Sequence, residues 1–199
     1  MTRHAILEAA ISCLVEAGYS QTTTSLIVEY AGVSRGAMMH HFPSRQAVIF
    51  AVVEYLRDKR LREYREIMEG IDRPESALSE AGIRKSVESA WRFVNMPSFV
   101  ANQELLAAAR TDPNLGRVLA QTERDVESMF LGTVQQVFPH LSSLKALQLA
   151  NDLVQFSMRG MALSHMASRK QQRTERLINH IAQELISLYR QEGLEFESG

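Results

Sequence analysis

The spacing of apolar residues is helical along nearly the whole chain. In the first predicted helix, one stripe holds Ile6, Leu7, Ala10, Cys13, Leu14 and Ala17, and Gly18 follows as a C-terminal cap. No convincing stretch shows the alternation of apolar and polar residues that marks a half-buried strand. Caps, prolines and glycines divide the chain further. We predict an all-α fold of nine helices, over about residues 3–17, 24–31, 34–40, 44–70, 75–95, 98–110, 111–138, 143–167 and 171–192.

The lengths of these helices predict two domains. Short helices are confined to the first fifty residues, and longer helices fill the remainder. We therefore expect a three-helix N-terminal domain over residues 1–46 and a larger helical domain over residues 47–199. With 199 residues, 45% of them hydrophobic, the chain is long enough to bury a core in each.

The turn between the second and third predicted helices has the make-up of a helix-turn-helix. Ala31 is small enough for the two helices to cross closely, and Gly32 can adopt the positive φ that ends the first of them. Val33 offers an apolar contact, and the hydroxyl of Ser34 can cap the next helix. The segment therefore predicts a surface that recognises a binding partner.

The third helix is predicted to have two different faces, since successive residues are about 100° apart. One face holds Arg35, Gly36, Met39 and His40, and the opposite face holds Ser34, Ala37, Met38 and His41. The first face suits contact with a partner, and the second suits packing. A glycine inside a helix costs about 1 kcal/mol relative to alanine. Gly36 therefore indicates a close approach by the partner, unless its place in the first turn lowers that cost.

A metal site is the alternative that His40 and His41 raise, and their spacing argues against it. Adjacent side chains on a helix diverge, whereas chelation favours residues three or four apart. No cysteine or paired carboxylate lies nearby in the sequence. We expect neither a metal nor another cofactor.

Charge and composition narrow the class of protein. The net charge is −1, so binding to nucleic acid has to rely on a local patch. In residues 1–50 the arginines and glutamates balance, which predicts few contacts with phosphate and, for any binding to nucleic acid, a dependence on dimerisation. The run Arg57, Lys59, Arg60, Arg62 and Arg65 alternates with acids, and we interpret it as a solvated helix face.

The single cysteine, Cys13, excludes an internal disulfide framework, fits a reducing cytoplasm, and is expected to be a small buried apolar residue. No stretch approaches the roughly 18 apolar residues of a membrane span. The N-terminal segment carries Glu8 inside its apolar run and is interpreted as a helix rather than a secretion signal. We expect a cytoplasmic protein.

Residues 6–48, ILEAAISCLVEAGYSQTTTSLIVEYAGVSRGAMMHHFPSRQAV, resemble the DNA-binding domain of TetR-family transcriptional regulators. The resemblance rests on the I-L-x-A-A start, the G-Y after the first helix, the threonines, A-G-V-S, the H-F pair and S-R-x-A-V. The other 150 or so residues share only the helical layout of the family. In such regulators the third helix enters the major groove, while the starts of the second and fourth helices contact phosphates.

This resemblance and the two faces together imply a set of DNA contacts: Thr23, Thr24, Ser25, Ser34, Arg35, Gly36, Ala37, Met39, His40, His41 and Arg45. Thr23 and Thr24 would offer hydroxyl and N–H groups to phosphate at a helix N-terminus. Ser25, Ser34 and Ala37 would line the groove. Arg35 is the candidate for reading guanine, because a guanidinium can bind O6 and N7 together.

The remaining positions complete this assignment. His40, His41 and Arg45 would contact the DNA backbone, with packing as the alternative for His41, and Phe42 would anchor the helix in the core. Met39 departs from the family, which usually has a tyrosine there. A methionine cannot donate that hydrogen bond, although it could touch a thymine methyl. Binding is therefore either weaker at this contact or altered in specificity.

A single helix-turn-helix reads only a few base pairs, so two copies are normally joined on a palindromic site. We expect the dimer interface at the last two helices, about residues 143–192. Gly160, Ala162 and Ala167 would permit close approach there. The second of these helices has a broad apolar stripe: Leu177, Ile178, Ile181, Leu185, Leu188 and Tyr189. The alternative is that this stripe packs within one subunit.

The middle helices contain side chains suited to an adaptable apolar pocket: Trp91, Phe93, Met96, Phe99, Met129, Phe130, Phe156, Met158 and Met161, with Asn95, Asn102, Gln103, Arg110 and His165 as polar anchors. Family members usually bind an effector between these helices, so the resemblance implies a small apolar or amphipathic ligand. Ordinary core packing is the alternative for each apolar residue.

Three functions are compatible with the sequence. The first is a homodimeric, ligand-responsive regulator of transcription, for which we expect repression rather than activation. The second is a helical enzyme, for which no nucleophile–base pair or carboxylate pair stands out. The third is an adaptor that uses a degenerate helix-turn-helix for protein contacts, which the balanced charge and Met39 leave open.

Overall fold

The computed structural model describes residues 2–69, 79–137, 141, 145–167 and 171–196. In this part of the chain the secondary structure consists mainly of nine α-helices, as predicted. They are α1 (Thr2–Gln21), α2 (Thr24–Ala31), α3 (Arg35–His41), α4 (Arg45–Glu69), α5 (Glu80–Val94), α6 (Pro97–Ala109), α7 (Pro113–Val137), α8 (Ala146–Ala167) and α9 (Gln171–Gln191).

The ends of the helices agree closely with the sequence prediction where caps fix them. The predicted bounds of α2 are the observed ones, and α3 begins directly after its cap Ser34. Helix α1 continues to Gln21 rather than ending at residue 17, but Gly18 interrupts it with a φ of 77°. The predicted starts of α5 at 75 and α8 at 143 lie outside the described residues.

The helices pack into two compact units. The first comprises residues 1–62 and 96–127, and the second comprises residues 63–95 and 128–199. Packing therefore places α6 and the first part of α7 with the three short helices. The predicted functional boundary between residues 46 and 47 does not coincide with these units and stays a prediction.

The core of the first unit is a cluster of apolar side chains from α1, α2, α3, α4, α6 and α7. Its most buried members include Ile6, Ala10, Leu14, Ile27, Met38, Val48, Val52, Leu56, Leu105 and Leu115. Cys13 belongs to the same core and is fully buried, as expected. Burial raises the pKa of its thiol to about 11. Cys13 therefore acts as a small apolar side chain, not as a nucleophile.

The second unit is built around α5, α8 and α9. The buried side of α9 contains Ile178, Ile181, Ala182, Leu185, Ile186 and Tyr189. Most of the stripe assigned to a dimer is thus packed within the subunit, whereas Leu177 remains 38% exposed. The exposed apolar side chains of this unit lie mainly on α8, where Phe156, Leu149 and Leu163 are 69%, 59% and 52% exposed.

The charged run of α4 is only in part the solvated face that we predicted: Arg62 and Arg65 are exposed, but Arg60 is not. Arg60 is 1% exposed, and its Nη1 donates to Glu123 Oε1 on α7 at 2.7 Å. Leu56, Arg60 and Tyr64 are four residues apart, so the arginine occupies an inward position of the helix. The alternation of charges concealed this spacing in the sequence.

Lys59 is also engaged, since its Nζ lies 2.6 Å from Glu8 Oε2 on α1. Burial by itself would raise the pKa of Glu8. Hydrogen bonds from Lys59 and Tyr55 and the charge of Lys59 outweigh that effect, and the pKa is lowered. This ion pair ties α1 to α4 within the first unit.

None of the helices in the described ranges combines the length and the apolar character needed to cross a bilayer.

Candidate nucleic-acid interface

A side chain caps the start of each helix of the helix-turn-helix, and Ser34 is the cap that the sequence predicted. Thr23 Oγ1 accepts a hydrogen bond from Leu26 N at 3.2 Å at the start of α2. Gly32 ends that helix with a φ of 61°, in the left-handed region that glycine adopts without strain. Ser34 Oγ accepts from Ala37 N at 3.1 Å and starts α3. Local interactions therefore fix where each helix begins and ends.

Two apolar side chains anchor α3 in the core of the first unit. Met38 is fully buried, and Phe42, which follows the helix, is 4% exposed. The anchoring role predicted for Phe42 is confirmed. His41 is exposed, so the alternative that it packs in the core is wrong. Its ring instead contacts those of His40 and Phe42, at centroid distances of 5.3 and 6.5 Å.

The face of α3 opposite Met38 is open to solvent. Arg35, Gly36, Met39 and His40 are all exposed, Met39 by 45%. The hydrogen bonds and ion pairs of the described residues leave the guanidinium of Arg35 unused. A Cβ added at Gly36 would meet only Ser34 Oγ, at 3.9 Å. Folding of this chain therefore does not require glycine at residue 36.

The predicted contacts on α2 are also accessible. Thr23 and Ser25 are exposed, and Thr24 is half-buried. Thr22, the preceding hydroxyl residue, is fully buried and donates to Gly18 O at 2.8 Å. The four hydroxyl residues 22–25 thus divide into one buried structural residue and three accessible ones.

Arg45 has an internal role that the sequence did not indicate. Its Nε donates to Thr22 O at 2.6 Å and its Nη2 to Tyr19 O at 2.5 Å. The guanidinium also lies 4.4 Å from the centroid of the Tyr19 ring. Arg45 therefore holds the end of α1 against the start of α4, and its contact with DNA stays a prediction.

Glu104 also stabilises the link between α1 and α2. Glu104 on α6 accepts from Tyr19 N at 3.2 Å, and its Oε2 lies 3.2 Å from the position of a Cβ on Gly18. The link between α1 and α2 is therefore fixed by both α4 and α6. Glu104 and Tyr19 are 85 residues apart in sequence, so the local pattern could not reveal that they contact each other.

Arg3 is a further candidate that sequence reasoning missed. This residue of α1 is exposed, and its guanidinium carbon lies 5.4 Å from the centroid of the Phe42 ring at the end of α3. Together with the two neighbouring histidines, it gives that end of the helix a basic character. Only the three-dimensional packing brings α1 and α3 together here.

His40 and His41 do not belong to a metal cluster: in the described part of the chain, no three His, Cys, Asp or Glu side chains form a group able to hold a metal ion.

The predicted effector residues are not gathered around one cavity. Phe93, Phe130 and Met158 are buried, Trp91, Met96 and Met161 are half-buried, and Met129 and Phe156 are exposed. Phe99 is buried in the first unit, to which Met96, Asn102, Gln103 and Arg110 also belong. The side chain of His165 lies outside the described residues.

The polar anchors proposed for the ligand have different surroundings. Asn95 donates to Trp91 O at 2.7 Å, and Asn102 donates to Glu123 Oε1 at 3.2 Å. Arg110 is exposed. Asn95 and Asn102 are thus engaged within the chain and stay predictions as ligand contacts.

The described part of the second unit contains several cavities. A groove of about 480 Å³ runs between α8 and α9 and includes Phe156, Gly160, Met161 and Leu177 in its lining. A smaller cleft of about 60 Å³ is lined by Tyr64, Met68, Ile83, Ser86, Val87, Ala90, Val134, Leu141, Leu147, Ala150, Asn151, Val154, Gln155, Leu185 and Tyr189. We refer to the latter as the tyrosine cleft.

Three aromatic rings connect the predicted residues to the tyrosine cleft. The ring of Tyr64 lies 5.3 Å from that of Phe93 and 4.3 Å from that of Phe130, and Phe93 and Phe130 are 5.4 Å apart. Phe93 and Phe130 therefore support a wall of the cleft without lining it. Tyr64 and Tyr189, which do line it, were not among the candidates.

Comparison with known proteins places these features in a family. The family model for bacterial regulatory proteins of the tetR family matches residues 6–52. The HTH-type transcriptional regulator CymR of Pseudomonas putida is 30% identical over 182 residues, covering 89% of this chain and 86% of that protein. The HTH-type transcriptional repressor AcnR of Corynebacterium diphtheriae is 28% identical over 137 residues, covering 68% and 65%.

The fold has solved counterparts as well. A transcriptional regulator from Rhodococcus sp. Rha1 matches with a TM-score of 0.66 at 18% identity, covering 94% of this chain and 97% of that one. The curated relatives are transcriptional regulators, so the hypothesis of a helical enzyme is not supported. From its helix-turn-helix segment and its identity to CymR over most of both chains, this protein belongs to the tetR family and is a DNA-binding transcriptional regulator.

Proposed function

We propose that this regulator is a repressor that binds a palindromic operator as a homodimer and is released by a small-molecule effector. The observation that carries the proposal is the exposed face of α3, held by Met38 and Phe42 with the Arg35 guanidinium unused. The name of AcnR, a transcriptional repressor, supports repression rather than activation.

The reading of DNA follows from the geometry of this face. Arg35 binds guanine O6 and N7 in the major groove, while Gly36 allows the helix backbone to approach the base edges. Thr23, Thr24 and Ser25 bind at one flank of the groove, and His40 and His41 at the other. Because the first fifty residues have balanced charge, one subunit makes few phosphate contacts, and affinity depends on a pair.

The pair forms through α8 together with the exposed edge of α9. Phe156, Leu149 and Leu163 are more than half exposed on one helix, which is unusual for large apolar residues unless a partner covers them. A Cβ on Gly160 would meet nothing within 4 Å, so a second copy can approach this helix closely. A two-fold pairing of identical surfaces matches the two-fold symmetry of a palindromic operator.

Release by an effector requires different affinities in two states. A ligand bound in the second unit shifts the population toward dimers whose two α3 helices are spaced wrongly for the operator. Helix α4 is the expected carrier, because it contains both Tyr64 of the tyrosine cleft and Arg45, which holds the end of α1.

The dimer can be tested with a charged substitution in the exposed apolar surface. Phe156→Asp is expected to yield monomers by light scattering and to weaken operator binding at least tenfold, because it places a charge in the interface. Gln183→Asp, at an exposed position of α9 outside the groove, is the matched control and should remain dimeric. A Phe156→Asp protein that stays dimeric and binds DNA normally would contradict this interface.

A further inference from the structure

The tyrosine cleft is lined by two buried tyrosine residues whose hydroxyls have no partner among the described residues. Tyr64 and Tyr189 are each 4% exposed. In the described part of the chain, neither hydroxyl takes part in a hydrogen bond. A hydroxyl that the chain leaves without a partner can donate a hydrogen bond to a ligand that supplies an acceptor. Both tyrosines therefore favour a ligand that carries an oxygen.

The rest of the lining is apolar or neutral. Among the described residues around the tyrosine cleft, none carries a formal charge, and most are Ile, Val, Leu, Met or Ala. Asn151 and Gln155 on α8 add two neutral amides, while Ser86 already donates to Ile83 O at 2.7 Å. A charged ligand entering such a site loses its hydration and gains no opposite charge in return. The lining thus selects against ions.

The size of the tyrosine cleft limits the ligand further. Its volume of about 60 Å³ corresponds to a few ordered waters or, with small side-chain adjustments, to a molecule of about one ring. Tyr64 is supported on its far side by Phe93 and Phe130, so this wall is rigid. The opposite wall includes Leu185 and Tyr189 from the buried face of α9.

We propose that the effector is a small uncharged molecule, about one ring in size, whose oxygen hydrogen-bonds to the hydroxyls of Tyr64 and Tyr189. This assignment rests on the proposed function, in which a ligand acts through the second unit. It deepens that function by naming the chemical class of the ligand, and it separates alcohols, ketones and amides from carboxylates and amines.

Direct binding to the full-length protein, without DNA, tests this assignment. Four probes of nearly equal size differ only in one group: benzyl alcohol, toluene, benzoate and benzylamine. In ligand-observed NMR at pH 7, benzyl alcohol should bind at least fivefold more tightly than toluene, and benzoate and benzylamine should not bind. Tighter binding of benzoate or benzylamine, or no binding by any probe, would overturn the proposal.

Conservative variants locate the site. Tyr64→Phe and Tyr189→Phe keep the rings and remove one hydroxyl each, so both should bind toluene as before and lose most of the preference for benzyl alcohol. Tyr30→Phe, on the exposed surface of α2, is the control and should keep the preference. An unchanged preference in both cleft variants would refute the role of the hydroxyls.

The affinity for the operator is measured separately, in the absence of any probe. If the protein binds the operator but the four probes do not show the predicted order of affinities, then the proposed ligand class is wrong and the proposed DNA-binding function still holds. If the probe pattern holds but neither benzyl alcohol nor the cleft variants alter operator affinity, the tyrosine cleft binds neutral ligands while its proposed role in release is wrong.

Discussion

Arg60 and Glu123 form an ion pair with an Nη1–Oε1 distance of 2.7 Å, in which the arginine side chain is only 1% exposed. Asn102 on α6 donates to the same carboxylate oxygen at 3.2 Å, so one glutamate joins α4, α6 and α7. The guanidinium carbon of Arg60 lies 5.8 Å from the centroid of the Phe99 ring. Within the first unit, this cluster fixes α4 relative to two other helices.

Glu123→Gln should destabilise the protein strongly, because it leaves the buried charge of Arg60 without its carboxylate. Breaking one partner of a buried pair costs about 3–5 kcal/mol; since Glu123 is 21% exposed, we expect the lower end of that range. Urea denaturation followed by circular dichroism measures the loss. Glu127→Gln, at an exposed position of the same helix, should change stability by less than about 0.5 kcal/mol. Equal effects of the two variants would contradict a structural role for the ion pair.

Arg35→Ala should weaken specific DNA binding by about 1–3 kcal/mol and relax the preference at one base pair per half-site. Thermal stability should be unchanged, because the side chain is exposed and unused within the chain. Fluorescence anisotropy with operators mutated at each position measures both effects. An equal loss of affinity on all sequences would show that Arg35 binds phosphate rather than a base.

Arg45→Ala should behave differently from Arg35→Ala. It removes two hydrogen bonds to the carbonyls of Tyr19 and Thr22, so stability should fall by about 1–3 kcal/mol. DNA affinity should fall uniformly across sequences, since the position of α2 is disturbed. Normal stability together with reduced affinity would instead assign Arg45 directly to a phosphate.

The contrast between these two arginines shows what the sequence could predict. Caps act over three or four residues, so Gly32 and Ser34 were recognised, and with them the turn between α2 and α3. The partners of Arg45 lie more than twenty residues away, and an exposed contact and a buried one look alike in sequence.

The same limit explains why the residues that line the tyrosine cleft in the second unit were not predicted. Periodicity identifies helices and their apolar sides, but it does not show which neighbour each side meets. Phe93 and Phe130 were therefore expected to line a pocket, and they lie behind Tyr64 instead. Tyr64 lies within the charged run of α4, and Tyr189 was assigned to a dimer stripe, so neither was considered as a ligand contact.

Gly36→Ala should separate folding from DNA binding. The added Cβ has open space, with Ser34 Oγ as its nearest neighbour at 3.9 Å. Replacing a helical glycine with alanine should therefore raise stability by about 0.5–1 kcal/mol. Operator affinity should fall, because the methyl group keeps α3 away from the groove. Unchanged affinity would show that the DNA does not approach this part of the helix.

Gly32→Ala provides the comparison for that experiment. Gly32 has a φ of 61°, so a side chain there is strained even though no atom lies within 4 Å of the Cβ position. This variant should lose stability, whereas Gly36→Ala gains it. Thermal melts of the two proteins under identical conditions test the difference in sign.

Met39→Tyr should tighten operator binding. Met39 is 45% exposed on the reading face of α3, and the tyrosine hydroxyl adds a hydrogen bond that the thioether cannot donate. We expect a gain of about 0.5–1.5 kcal/mol in anisotropy titrations. Met39→Leu, which keeps an apolar side chain of similar size, should bind much as the natural protein does. Identical affinities for all three proteins would place residue 39 away from the DNA.

The central claim is that α3 of a dimer reads a palindromic operator. It is tested most directly by sequencing the genomic fragments that the purified protein retains, followed by footprinting of the most enriched one. We predict salt-sensitive protection of two half-sites centred about one helical turn apart, or a whole multiple of it, that Arg35→Ala weakens. A stable dimer that protects no fragment, or a footprint that Arg35→Ala leaves unchanged, would contradict the account.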